Sequence, residues 1–88
     1  MTDDQIVAKL RTILADVAPD LDVASIGLDA DLRNDVGLDS MDFLNFVIGA
    51  HKQLGVDIPE ADYGKVNTFA KFARYVAARR AAVPPTAG

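Results

Sequence analysis

The chain contains no cysteine, which excludes a disulfide framework and a thiolate metal site and leaves side-chain packing to stabilise the fold. No apolar run approaches the roughly 20 residues of a membrane span, so none is expected. The opening MTDDQIVAKL has no basic region leading into an apolar core, so no signal peptide is expected and the location read from it is cytoplasmic. Basic residues are scarce in the first half. Residues 1–42 hold ten aspartates against Lys9, Arg11 and Arg33, a net charge of −7, whereas residues 43–88 are net +3. That sign argues against nucleic acid as a partner, because phosphate neutralisation needs a basic stripe. It suits either a partner with a basic docking surface or simple solubility.

What is present describes one small soluble domain: 88 residues, 50% hydrophobic and 25% charged, with no internal repeat. The first helix should open at Thr2, since Thr2-Asp3-Asp4-Gln5 fits a capping box. Ile6, Leu10, Ile13, Leu14 and Val17 recur at spacings of three and four and make one apolar face. Pro19 should stop the helix at about Ala18. From Pro19 to Asp39 isolated apolar residues alternate with aspartates, which predicts a long loop with one helical turn near Asp31 to Asn34. Loops beyond about 12 to 15 residues are often functional.

A second helix is expected from Asp39 or Ser40 to about Leu54, with Gly55 supplying a left-handed exit. It carries two apolar stripes, one of Phe43, Phe46, Val47, Ala50 and Leu54, the other of Met41, Leu44 and Ile48. One suffices for a core and the other is left for a partner. Gly49 inside it either permits close packing or is a tolerated weakness. Pro59 is placed to open a short helix over Glu60 to Tyr63, ended by Gly64. Asn67 or Thr68 should cap a last helix that buries Phe69, Phe72, Ala73, Val76 and Ala77. The fold class is therefore all-α, an antiparallel bundle of three long helices and one short one with a long first loop. The domain should span residues 1–82, and residues 83–88 (VPPTAG) should form a disordered tail.

The stretch DVGLDSMD, residues 35–42, sets a serine between two aspartates at the start of the second helix. Independent serine catalysis needs a base within hydrogen-bond reach. The single histidine, His51, lies eleven positions further along the same helix, roughly 16 Å at about 1.5 Å per residue, and Gly-x-Ser-x-Gly is absent. No catalytic residue is expected. A calcium loop begun at Asp29 fails at Arg33, at Asn34 where glycine is needed, and at Ser40 in place of a bidentate glutamate, so no dedicated metal site is expected. Two local readings of Ser40 stay open. Serine and aspartate both favour helix starts, so the pair is explained as capping, with Leu38 stapled onto Phe43. Equally, a hydroxyl projecting from a helix N-terminus is a place where an attached anion would be favoured.

Over nearly its whole length the chain resembles the acyl carrier protein family. The likeness is carried by Asp39-Ser40-Met41 followed by Asp42, by Leu28 and Leu32 in the loop, by Gly37, by Ile58-Pro59 after the second helix, and by Thr68-Phe69 opening the last. The resemblance implies a 4′-phosphopantetheine arm, taken from coenzyme A and joined to the Ser40 hydroxyl by a phosphopantetheinyl transferase whose complex holds the magnesium. It implies that Asp39 helps dock that enzyme and orient the metal-bound diphosphate. It further implies a partner-docking face that includes Met41, Asp42, Leu44 and Ile48, and an apolar space near Phe46, Ile58, Phe69 and Phe72 that can shelter cargo, although these residues are core first. The expected protein is a freestanding monomeric carrier, not an enzyme, that presents acyl thioesters to loading and transfer enzymes of fatty-acid, polyketide or specialised lipid biosynthesis. An aminoacyl or peptidyl carrier and an unmodified helical interaction module are the alternatives. One departure bears on partners. Fatty-acid carriers of this family stud the second helix with glutamates, whereas this chain has Asn45, His51, Lys52 and Gln53, which favours a pathway-specific carrier.

Overall fold

The first helix opens as its sequence requires. In the computed structural model, which describes residues 2–82, the Thr2 side chain accepts from the Gln5 amide at 3.2 Å and the Gln5 side chain accepts from the Thr2 amide at 2.9 Å. Both halves of the capping box are thus made. Helix α1 runs Asp3–Val17 and ends at Ala18, directly before Pro19. Its buried face is Ile6, Leu10, Ile13 and Leu14, and it packs against both later helices.

Helix α2 spans Ser40–Leu54 and α3 spans Phe69–Ala82. At the end of α2, Gly55 takes the left-handed conformation (φ 68°) and returns its amide to the His51 carbonyl, a geometry that a Cβ would oppose. Before α2, Gly37 has φ 89°, so the turn that aims the chain at Asp39 also depends on glycine. Phe43, Phe46, Val47, Ala50 and Leu54 are the buried stripe of α2. Phe46 lies edge to face against Phe69 and Phe72 at centroid distances of 6.3 and 5.2 Å, a favoured aromatic arrangement. Gly49 permits close packing: a Cβ built there would stand 2.7 Å from Ile13 Cγ2.

The first loop is more structured than its composition predicts. Besides the turn after Asp31, it has a 3-10 turn at Val23–Ser25, which the lack of periodicity concealed. Arg11 on α1 fastens that turn, donating to the Val23 carbonyl at 2.7 Å and the Ile26 carbonyl at 2.8 Å while its guanidinium lies 4.8 Å from the Phe69 ring centroid. Further along, the Leu32 amide donates to the Asn67 carbonyl at 2.8 Å and the Ala70 amide to the Leu28 carbonyl at 3.0 Å. The loop is therefore laid over the start of α3 by backbone bonds as well as by buried Val23, Leu32 and Leu38.

One local expectation is corrected, and one open choice is decided. The short helix after Pro59 is a 3-10 helix over Glu60–Lys65, and Gly64 lies within it instead of ending it. A 3-10 segment bonds over three residues and tolerates this. At α3, the cap is Thr68, whose hydroxyl accepts from the Lys71 amide at 3.0 Å; the Asn67 side chain instead donates to Asp31 across the loop. The expected tail at 83–88 lies outside the described residues. Among those described, no helix is long and apolar enough to cross a membrane.

Candidate functional site

The N-terminus of α2 is built by division of labour between neighbours. Asp39 has extended backbone (φ −78°, ψ 174°) and its Oδ1 accepts from the Asp42 amide at 2.8 Å. It is the N-cap, and it satisfies one of the amides that a helix start leaves without a carbonyl. Leu38 and Phe43 flank the cap and both are buried, the positions of a hydrophobic staple. Ser40 is consequently the first helical residue and has no capping duty. Its side chain is exposed.

The Ser40 hydroxyl has a partner that the sequence did not announce. Arg33 Nη2 donates to Ser40 Oγ at 2.9 Å, and the same guanidinium lies 5.9 Å from the Phe43 ring centroid, within cation–π range. The nearby carboxylates of Asp31 and Asp35 are engaged with amides. Asp31 Oδ1 accepts from the backbone amides of Arg33 and Asn34, each at 2.9 Å, and its Oδ2 accepts from Asn67 Nδ2 at 2.7 Å. These bonds, that from the Asn34 amide foremost, hold the Asp31 carboxyl below its ordinary range against the opposing effect of burial. Asp35 Oδ2 accepts from the Asp31 amide at 2.9 Å. The only advance signal for Arg33 was that it is the one basic residue between Pro19 and Ser40.

A cavity of about 440 Å³ opens beside Arg33, lined also by Asp31, Leu38, Phe43, Tyr63 and Asn67. Phe46, Phe69 and Phe72, expected near a sheltering space, do not line it; they are completely buried in the core. Asn67 keeps its Oδ1 buried without a protein donor. The predicted docking residues divide by exposure: Met41 is 63% and Ile48 42% exposed, Leu44 and Asp42 are half-buried. Met41 and Ile48 thus form an apolar outer face on α2 that the core does not use. His51, exposed on α2, bonds the Val56 carbonyl through Nδ1 at 2.9 Å. A carbonyl only accepts, so Nδ1 carries the proton, and the ring fastens the exit of α2, far from Ser40.

These residues fit a phosphate ester on Ser40. The hydroxyl is exposed, the helix start favours an anion, and a guanidinium already touches the oxygen that would be esterified. A 4′-phosphopantetheine group would be held through Ser40, with Arg33 beside it. Among the described residues no cluster of three or more His, Cys, Asp or Glu side chains is arranged to hold a metal ion.

Known proteins share this arrangement of chain. The family described as "phosphopantetheine attachment site" matches residues 8–76. An acyl carrier protein of Streptomyces coelicolor is 31% identical over 73 residues, which cover 83% of this chain and 79% of that one. The polyketide-8 synthase acyl carrier protein 2 of Streptomyces avermitilis is 37% identical over 60 residues, 68% of each chain. Among solved structures, the acyl carrier protein from Enterococcus faecalis matches with a TM-score of 0.73 at 20% identity, over 90% of this chain and 99% of that one. At that identity the last likeness speaks for the fold alone.

Proposed function

From the premise that this chain belongs to the acyl carrier protein family, we propose that it is a carrier whose residues 1–82 present acyl groups on a 4′-phosphopantetheine arm at Ser40. The observation that carries the assignment is the exposed Ser40 hydroxyl at the first helical position, released from capping by Asp39. When attached, the arm supplies the thiol on which acyl groups are held as thioesters. The protein supplies no catalytic base, and the loading chemistry comes from the transferase. As the Oγ–phosphorus bond forms, the diphosphate bond of coenzyme A breaks, the adenosine bisphosphate half leaves, and the hydroxyl proton passes to a base of the transferase.

Asp39 has its Oδ1 on the Asp42 amide, and its carboxylate remains at the exposed helix start, where it orients the transferase and its magnesium. Met41 and Ile48, with Leu44 and Asp42 behind them, dock the loading and transfer enzymes. The neutral and basic run from Asn45 to Gln53, with His51 and Lys52 exposed, supports partners other than ones that read an acidic second helix. Likeness to a polyketide synthase carrier supports polyketide or specialised lipid cargo beside fatty-acyl cargo.

Incubation with a promiscuous phosphopantetheinyl transferase, magnesium and coenzyme A, followed by intact mass, tests the assignment. The wild-type protein should gain one phosphopantetheine and Ser40→Ala none. An unchanged wild-type mass, or modification that persists in Ser40→Ala, sinks it.

A further inference from the structure

We infer that Arg33 is a clamp for the phosphodiester at the root of the arm, a positioning residue that holds the loaded arm against the loop side of α2. The inference rests on the attachment at Ser40 proposed above. Its own basis is a cation placed on the attachment oxygen. Arg33 Nη2 lies 2.9 Å from Ser40 Oγ, and no carboxylate among the described residues ion-pairs with its guanidinium.

Three acids of the loop and the α2 start are engaged with the backbone. Asp31, Asp35 and Asp39 each accept from a backbone amide through a carboxylate oxygen, so the loop's own turns and the α2 cap orient these carboxylates toward the backbone, and none of them bonds the Arg33 guanidinium. The other arginine of the first half is also engaged, since Arg11 bonds the Val23 and Ile26 carbonyls. Arg33 is left facing a neutral hydroxyl, a weak acceptor for a charged donor with several further N–H groups to satisfy. Esterification changes that acceptor. The oxygen loses its proton and becomes a bridging oxygen, while the phosphorus bonded to it carries oxygens that share a negative charge. A planar guanidinium suits such a group better than a hydroxyl, by charge and by the spacing of its donors. Contact with the Phe43 ring restricts the guanidinium before loading, which lowers the entropic cost of holding the anion. Because Arg33 also lines the adjoining cavity, the clamp keeps the arm's root at the edge of that cavity. A partner enzyme that draws the arm out must first break the ion pair.

The test compares wild-type, Arg33→Lys and Arg33→Gln proteins loaded in the same way, with intact mass to confirm loading and circular dichroism to confirm the fold. The readouts are the phosphorus-31 resonance of the arm and the Arg33 Nε proton–nitrogen resonance. The wild-type phosphorus signal should be displaced from that of Arg33→Gln. Salt at about 1 M, where the screening length is about 3 Å, should move it toward the Gln position while leaving the Gln signal in place. Arg33→Lys should fall between the two, and the Arg33 Nε resonance should shift on loading. Loaded wild-type and Gln proteins with the same phosphorus position and salt response, or an Arg33 resonance unmoved by loading, overturn the clamp alone. A wild-type protein that gains no mass removes the attachment and the clamp together.

Discussion

At the start of α2 the deciding question is which side chain reaches the free amides. Asp39 does, through Oδ1, and Ser40, one residue later, is turned outward to Arg33. The two substitutions should therefore differ in kind. Asp39→Ala removes a cap and should cost about 1 kcal/mol in urea unfolding. Ser40→Ala should stay within about 0.5 kcal/mol, as an exposed hydroxyl held by one surface bond contributes little to stability, yet it should abolish loading. Equal losses from both would mean that the serine shares the cap. That Ser40 sits at a helix start was legible in Asp39-Ser40-Met41-Asp42, because capping chemistry is local. Arg33 was not legible as its partner. A contact seven residues apart depends on how the Asp31 turn folds, and periodicity does not report where a long side chain ends. His51 shows the same limit, since its bond to the Val56 carbonyl exists only once Gly55 has turned the chain back.

Between elements, α2 is shared by two surfaces. Its inner stripe meets α1 and the aromatic residues of α3, and its outer face leaves Met41 and Ile48 exposed. The two stripes were readable from helical spacing; which one is buried was settled by packing against the others. Gly49 marks the closest approach to Ile13. Gly49→Ala improves intrinsic helix propensity by about 1 kcal/mol, but the new methyl would meet Ile13 Cγ2 at 2.7 Å. That atom branches from Cβ of a residue only 2% exposed, so it has little room to move, and overpacking of this kind costs about 1–3 kcal/mol. The net expectation is a loss of about 1 kcal/mol. In a denaturant cycle with Ile13→Ala, the two losses should be less than additive; full additivity would place the strain elsewhere.

For the whole molecule, a charged cluster ties the 3-10 helix to α3. Asp62, in the 3-10 helix, accepts from the Tyr75 hydroxyl at 2.6 Å and from Arg79 at 3.2 Å, both on α3, and Lys65 lies 3.4 Å away. The Tyr75 bond, more than the opposing burial, sets the Asp62 carboxyl below its ordinary 3.8, with Lys65 and Arg79 adding to the effect. A carboxyl lowered in the folded state stabilises the fold above its unfolded pKa and loses that contribution as pH falls through the folded value. The Tm of Asp62→Asn should therefore lie below that of wild type at about pH 7, and the gap should close as pH falls below 3.8. A gap unchanged by acid would assign the tie to packing of Tyr75 alone. Asp31, lowered by loop amides, should keep some acid sensitivity in the variant.

The amino-acid sequence by itself determined the three long helices, their caps at Thr2 and Asp39, the Gly55 exit and the position of Ser40. These depend on period, short-range hydrogen bonds and backbone allowance, all of which act within about four residues. Only the tertiary structure decided the path of the first loop, the burial of one α2 stripe over the other, the closeness of Gly49 to Ile13, and the meeting of Arg33 with Ser40. Each of these joins residues whose separation in space is set by how the helices pack, and a linear pattern carries no term for that distance.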